Sequence, residues 1–116
     1  MMSDLQALIA SEFRNYQIAR KGGDSAKAWA ALERAHILSQ THLTWHLTSH
    51  WEMLKFAVAE RDAKECIGQV TRLALAPLGS LTGRIPIGNT GRSNVSAFEP
   101  MPIPEDLRDV IGDGSR

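Results

Sequence analysis

The sequence lacks several features by which a short chain usually reveals its class. It has one cysteine among 116 residues, so it cannot form an internal disulfide, and it suits a reducing compartment. Its 13 basic and 13 acidic residues cancel, and no basic block occurs, which disfavours nucleic acid and anionic membranes as partners. The longest apolar run, Leu73 to Leu78, is far too short to span a bilayer.

A secretory signal is also missing from the sequence. The opening residues, Met1 to Asp4, carry no basic stretch, and no long apolar segment follows them. We therefore expect a cytoplasmic protein that forms one domain over residues 1–116, with one modest core. No catalytic motif accompanies these absences, so the sequence leaves open whether the protein is an enzyme.

What is present is helical spacing of apolar residues through the first 80 residues. It predicts four helices, at about 3–21, 24–40, 44–61 and 62–78, the last of them ending near Pro77. The predicted apolar stripes of the third and fourth helices consist of Leu43, Leu47, Trp51, Leu54 and Val58, and of Ile67, Val70, Leu73 and Leu75.

Helix-capping residues and a weak repeat support this assignment. Ser3 and Gln6 have capping-box spacing, and Asp24 and Asp62 are placed to cap the second and fourth helices. The segments that follow Asp24 and Asp62 match at an offset of 38 residues. The sequence therefore predicts an all-α fold of two antiparallel helical hairpins. These resemble tetratricopeptide repeats, and a compact four-helix bundle is the alternative.

The segment 79–116 has a different composition, rich in glycine, proline, asparagine and serine. We predict an extended tail that packs across the helices, because apolar residues recur along it, followed by a short last helix from Pro104 to Gly112. Gly88 to Arg92 could form an anion-binding nest, although tight turns are the more ordinary interpretation.

All four histidines of the chain fall between positions 36 and 50, on either side of a short polar break. If the break is a turn between helices, His36 faces His46 and His50, and Glu33 lies near His50. Glu12 interrupts the apolar stripe of the first helix and could approach from there. His42 lies at the turn, and we expect it to be exposed.

Imidazoles and carboxylates that converge between helices are typical of metal sites. We therefore predict binding of a divalent transition metal, most simply zinc or iron, with a role in metal homeostasis or, if a coordination position stays open, in metal-assisted hydrolysis. The predicted ligands are Glu33, His36, His46 and His50, with Glu12 as a further candidate.

Three alternatives remain open from the sequence. The same residues could form a structural polar network held by ordinary salt bridges, with no metal. The protein could be a tetratricopeptide-like interaction module, or a homodimer, whose partner contacts Trp29, Trp45 or Trp51. His50 and Glu33 could also act as an acid–base pair, although no nucleophile or cofactor motif accompanies them.

Several motifs together resemble an uncharacterised bacterial family that is catalogued only as a domain of unknown function. They are Leu32-Glu33-Arg34-Ala35-His36 with Gln40, His46-x3-His50 with Met53-Leu54, Ala76-Pro77-Leu78-Gly79, and Gly88-Asn89-Thr90-Gly91 with Asn94-Val95 and Met101-Pro102. The acidic Glu12 is similar to the family pattern as well. The resemblance spans nearly the whole chain and implies that these polar residues belong together, but it implies no activity.

Overall fold

All regular elements in residues 3–111, the part of the chain that the structure describes, are helices. The structure is a computed structural model. Its elements are α1 (Asp4–Lys21), α2 (Ser25–Ser39), α3 (Leu43–Ala59), α4 (Ala63–Thr82) and α5 (Glu105–Ile111). The predicted all-α class is confirmed. The predicted end of the last helix, at Gly112, lies outside the described residues. Within them, no helix combines the length and the apolar character that a membrane span requires.

The predicted helix caps form as expected. Ser3 and Gln6 exchange the two side-chain to backbone hydrogen bonds of a capping box at the start of α1. The carboxylates of Asp24 and Asp62 accept hydrogen bonds from backbone amides in the first turns of α2 and α4. Each such cap stabilises its helix by about 1 kcal/mol, because it satisfies an amide that has no partner inside the helix.

The turns inside the two hairpins have the same backbone geometry. The amide of Asp24 donates to the carbonyl of Ala19 at 2.9 Å, and the amide of Asp62 donates to that of Ala57 at 3.0 Å. The residue before each aspartate has a positive φ, 74° at Gly23 and 59° at Arg61. The 38-residue repeat in the sequence is therefore a repeat of the helix–turn–helix unit.

The hairpins stack in chain order. α1 packs against α2, α2 against α3, and α3 against α4, whereas α1 and α4 have no extensive contact among the described residues. A four-helix bundle would close by bringing its first and last helices together. The observed order is that of stacked helical repeats, the first of the two predicted arrangements.

Helix α4 does not end near Pro77, as the sequence had suggested, but continues to Thr82. Proline removes its own amide hydrogen bond and crowds the carbonyl of the preceding turn, but the helix continues past it here. Gly83, with a φ of 71°, ends the helix by donating its amide to the carbonyl of Gly79.

The predicted apolar stripes of α3 and α4 are largely wrong. Trp51, Val58, Ile67 and Val70 are all more than half exposed. The buried faces of these helices carry polar residues instead, namely His46, Ser49, His50, Glu65 and Gln69. Apolar periodicity identified the wrong face, because these polar residues share the buried side of the hairpin with Met53, Phe56 and Ala57.

Two apolar clusters hold the rest of the fold together. One lies between α1, α2 and α3 and contains Tyr16, Ala28, Trp29, Ala31, Leu32, Met53, Phe56 and Ala57. The other consists of Ile9, Ile37, Leu38 and Leu107, with Trp45 packed against it. Leu107 is 1% exposed, so the short last helix is fixed against the end of the first hairpin.

The tail lies along the helices, as predicted, and side-chain amides fix its path. Gln40 donates to the carbonyl of Pro86 and accepts from the amide of Gly88. Asn89 is buried, and its side chain donates to the carbonyls of Ser96 and Glu99. Phe98, which we expected to pack down with the other apolar residues of the tail, is 74% exposed.

Candidate metal centre

Three of the four histidines meet in the interior. His36 lies near the end of α2, and His46 and His50 lie one turn apart on α3. All three are buried, while His42 in the turn is exposed, as predicted. The Nε2 atoms form a nearly equilateral triangle, with separations of 3.0 Å (His36–His46), 3.1 Å (His36–His50) and 3.2 Å (His46–His50).

The hydrogen-bond partners of His36 and His50 fix how both rings are protonated. Nδ1 of His36 lies 2.8 Å from the carbonyl oxygen of Asn89, and Nδ1 of His50 lies 2.7 Å from Oε1 of Gln69. The amide nitrogen of Gln69 donates to Glu65 and to the carbonyl of Gly91, so its oxygen must face His50 as an acceptor. Both rings therefore carry a proton on Nδ1.

Burial keeps all three imidazoles neutral at pH 7. It lowers the pKa of His46 and of His50 to about 4, and the pKa of His36 falls well below its ordinary value, through burial and the two neighbouring rings. With Nδ1 protonated and the ring neutral, Nε2 of His36 and Nε2 of His50 each carry a lone pair directed into the triangle.

A single proton cannot provide a hydrogen bond to every Nε2 lone pair in this triangle. Two lone pairs face each other at 3.1 Å, and a single Nε2 proton on His46 could be donated to only one of them at a time. Nδ1 of His46 is itself buried and has no hydrogen-bond partner within residues 3–111. A cation near the three Nε2 atoms would bind all three lone pairs at once, which is the usual reason for histidines to converge in this way.

The spacing also fits a metal ion. In a tetrahedral zinc site with Zn–N bonds of about 2.0–2.1 Å, the ligand nitrogens lie roughly 3.3–3.4 Å apart. The observed separations of 3.0–3.2 Å are slightly shorter. Nε2 of His36, His46 and His50 would hold the ion, and three protein ligands would leave coordination open for others.

Among the described residues, the potential ligand atoms that lie within 4.8 Å of one another belong to the three histidines. Glu33, a predicted ligand, is outside this group. Its carboxylate pairs with Arg92 at 3.2 Å. Burial raises its pKa, and Arg92 opposes that shift. Glu33 is linked to His50 only indirectly, through Arg92, Glu65 and Gln69.

Glu12, the further candidate, is also outside the histidine group. It accepts a hydrogen bond at 2.8 Å from Nε of Arg34, whose guanidinium also pairs with Asp106 on α5. The structure thus brings together three of the five predicted ligands. It places the two carboxylates in ion pairs that join α2 to the tail and to α1 and α5.

The sequence analysis missed the residues that support the histidines. Gln69 and Glu65 lie one turn apart on α4, and both are almost fully buried. Hydrogen bonds from Gln69, from Arg92 and from the amide of Ser93 outweigh burial and lower the pKa of Glu65. The available signal was the helical spacing of Glu65, Gln69 and Arg72, a polar series on α4 that the sequence analysis did not use.

The loop that follows Asn89 passes directly over the histidine rings. A side chain at Gly91 would bring its Cβ within 2.7 Å of the ring of His36, and φ at this position is 84°. Only glycine allows this close approach together with this backbone conformation. The Gly-Asn-Thr-Gly segment therefore packs over the histidine cluster. The sequence analysis had considered an anion nest for this segment.

The comparisons with known proteins identify a family. A family model described as a protein of unknown function, DUF3703, matches residues 3–111. The chain belongs to the DUF3703 family. The comparison with curated proteins and the comparison with solved structures found no match. The match confirms the predicted membership of an uncharacterised domain-of-unknown-function family, whose description assigns no activity.

In this DUF3703 protein, the histidine triangle borders a cavity of about 400 Å³. The cavity lies between α4, the end of α2 and the tail. Its polar lining includes the three histidines and Arg72, and its apolar lining includes Leu75, Ala76, Ile85, Pro86, Ala97 and Phe98. The volume is in the range of small-molecule pockets in proteins.

Proposed function

We propose that the protein binds one divalent transition metal ion, zinc or an ion of similar preference, through Nε2 of His36, His46 and His50. The observation that carries the proposal is the triangle of Nε2 atoms, 3.0–3.2 Å apart, with two of its rings oriented by hydrogen bonds at Nδ1. Metal-binding histidines typically donate the other ring N–H to a carbonyl or a carboxylate, which raises their basicity and fixes their orientation.

The ligand set favours zinc over iron. Three imidazoles suit zinc, cobalt, nickel or copper, whereas open non-haem iron sites usually combine two histidines with a carboxylate. Glu33 and Glu12, the carboxylates predicted as ligands, are each paired with an arginine. We infer a histidine-only site of the kind that leaves a coordination position open, which is compatible with metal homeostasis and with metal-assisted chemistry.

The test is the metal content of untagged protein purified without chelator, measured by elemental mass spectrometry and followed by zinc titration of the metal-free protein. We expect one ion per chain in the wild type and none in His46→Ala. The matched control is His42→Ala, which removes the exposed histidine in the turn between α2 and α3. This variant should still bind one ion per chain. Equal zinc affinity in the wild type and in His46→Ala would overturn the proposal.

A protein-interaction role is a second candidate, favoured by the exposure of large apolar side chains on α3 and α4. Trp51 is 53% exposed and Ile67 is 69% exposed, although single exposed apolar residues are common on monomers. Sedimentation of the wild type and of Trp51→Ser would test self-association. A wild-type protein that stays monomeric at high concentration would exclude the homodimer.

A further inference from the structure

The cavity beside the histidine triangle is lined in part by Arg72, which among the described residues forms no salt bridge. Its side chain is partly buried, and Glu65 is the carboxylate whose charge acts on it. Its two terminal nitrogens donate to the backbone carbonyls of Gly68 and Val95. Each of these nitrogens has a second N–H, so Arg72 offers charged donors to a ligand.

A metal ion on the histidines would bring positive charge that its surroundings do not balance. The three neutral imidazoles contribute no negative charge, and the two carboxylates of Glu33 and Glu65 are already balanced by the guanidinium groups of Arg92 and Arg72. Buried charge without compensation is costly, so such a centre has a strong preference for an anion at its open coordination position. The apolar residues of the cavity wall would in turn contact an apolar group on that anion.

We propose that the cavity binds a small organic acid, whose acid group lies between the open coordination position and Arg72 and whose apolar body lies against Leu75, Ile85 and Ala97. This proposal rests on the metal site proposed above, because the acid group needs the ion as well as the guanidinium. It assigns a ligand class, a carboxylic acid with a hydrocarbon chain, to a site for which the family description gives none.

The experiment uses full-length protein loaded with Co²⁺, whose visible absorption reports on the ligands of the ion. Stoichiometric Co²⁺ binding that disappears in His46→Ala comes first. The loaded protein is then titrated with acetate, hexanoate and 1-hexanol. We expect hexanoate to change the spectrum and to bind at least about tenfold more tightly than acetate, because buried methylene groups contribute favourably. It should also bind at least about tenfold more tightly than 1-hexanol, which lacks the charge.

Two variants separate the contributions of charge and shape. Arg72→Met should retain Co²⁺ and weaken hexanoate binding at least about tenfold, to the level of the neutral alcohol. Since Arg72 also holds two carbonyls, Ala97→Phe provides an independent test. It leaves every charge in place, fills part of the cavity, and should remove the preference for hexanoate over acetate.

The outcomes distinguish the two proposals. Failure to bind Co²⁺ would overturn both of them. Stoichiometric Co²⁺ binding with a spectrum that hexanoate does not change, or with equal affinity for hexanoate and 1-hexanol, would overturn the organic-acid proposal alone. Unchanged hexanoate binding in both Arg72→Met and Ala97→Phe would place the acid outside this cavity and would also overturn it.

Discussion

The two hairpins share one backbone plan, but their interiors are opposite in character. Between α1 and α2, the buried residues are mostly apolar, with Tyr16 and Leu32 fully buried. On α3 and α4, the buried residues include His46, His50 and Gln69, whereas Trp51, Ile67 and Val70 are more than half exposed. The turns of both hairpins nevertheless have the same hydrogen bonds and the same positive φ.

The difference shows that two hairpins can have the same backbone geometry while their buried side chains differ in polarity. An apolar interior needs only close packing, whereas a polar interior needs a partner for each buried group. In the second hairpin, the tail supplies such partners through the carbonyl of Gly91 and the amide of Ser93, and the carbonyl of Asn89 does the same for His36 at the end of α2. We conclude that the apolar interior lies mainly in the first hairpin, and that the second hairpin forms the candidate site together with His36 and the tail.

Among single substitutions, the largest effect on stability should come from the apolar hairpin. Leu32→Ala removes a fully buried side chain and should lower the free energy of unfolding by about 2–5 kcal/mol. Because Leu32 belongs to the apolar cluster and does not line the cavity at the triangle, zinc affinity of the folded fraction should be unchanged. Urea unfolding and zinc titration of the same preparation would check both. A loss of zinc affinity without a loss of stability would contradict the assignment of stability to the apolar hairpin and of zinc binding to the triangle.

Acid should destabilise the metal-free protein through the second hairpin. The pKa values of His46 and His50 are about 4 in the folded protein and near 6.5 when unfolded, so the unfolded chain binds more protons between these values. The contribution of these histidines to the free energy of unfolding should be fully present above pH 6.5. It should fall as the pH drops towards 4, by roughly 2–3 kcal/mol for each histidine. Urea unfolding in chelator at several pH values measures this loss.

The same series on His42→Ala is the control, because that histidine is exposed and should contribute little to the acid response. A wild-type protein that is equally stable at pH 7 and pH 5 would show that the histidines are not buried and neutral as described.

Support of the triangle from α4 should have an intermediate effect. Gln69→Leu leaves Nδ1 of His50 without an acceptor and breaks the link to Glu65. We expect zinc affinity to fall about 10–100-fold and the free energy of unfolding to fall by about 1–3 kcal/mol. Zinc titration against a competing chelator is the measurement. Glu33→Gln, which changes a carboxylate outside the triangle, should retain affinity within about threefold of the wild type, whereas a direct ligand would cost far more.

The smallest effect on stability should come from the turn of the second hairpin, which has the same backbone geometry as the turn of the first. Arg61 has the left-handed conformation that Gly23 has in the first hairpin. Arg61→Gly should therefore stabilise the protein by up to about 1 kcal/mol, since a side chain disfavours this conformation by more than glycine loses in flexibility. Thermal unfolding would detect the change. Clear destabilisation would mean that the Arg61 side chain contributes something its turn geometry does not indicate.

The sequence predicted the local features of the fold well, because short-range chemistry determines them. Ser3, Asp24 and Asp62 begin helices as expected, and the histidines converge because a short turn separates their helices. The metal-ligand role predicted for the histidines remains a prediction.

The parts that could not be predicted depend on distant residues. Glu33 was expected beside His50, but it pairs with Arg92, which is 59 residues away in the chain and reaches it through the path of the tail. The buried face of α4 was mistaken for the same reason, since its polar residues find their partners in the tail and no local pattern shows this.

The most direct test of the central claim is X-ray absorption spectroscopy at the zinc edge of the stoichiometric zinc complex. The account predicts three imidazole nitrogens at about 2.0–2.1 Å, with the multiple-scattering features of histidine rings, and one further light-atom ligand. A first shell without three imidazoles, for example one dominated by carboxylate oxygens or containing sulfur from Cys66, would contradict the assignment of His36, His46 and His50 as the metal centre.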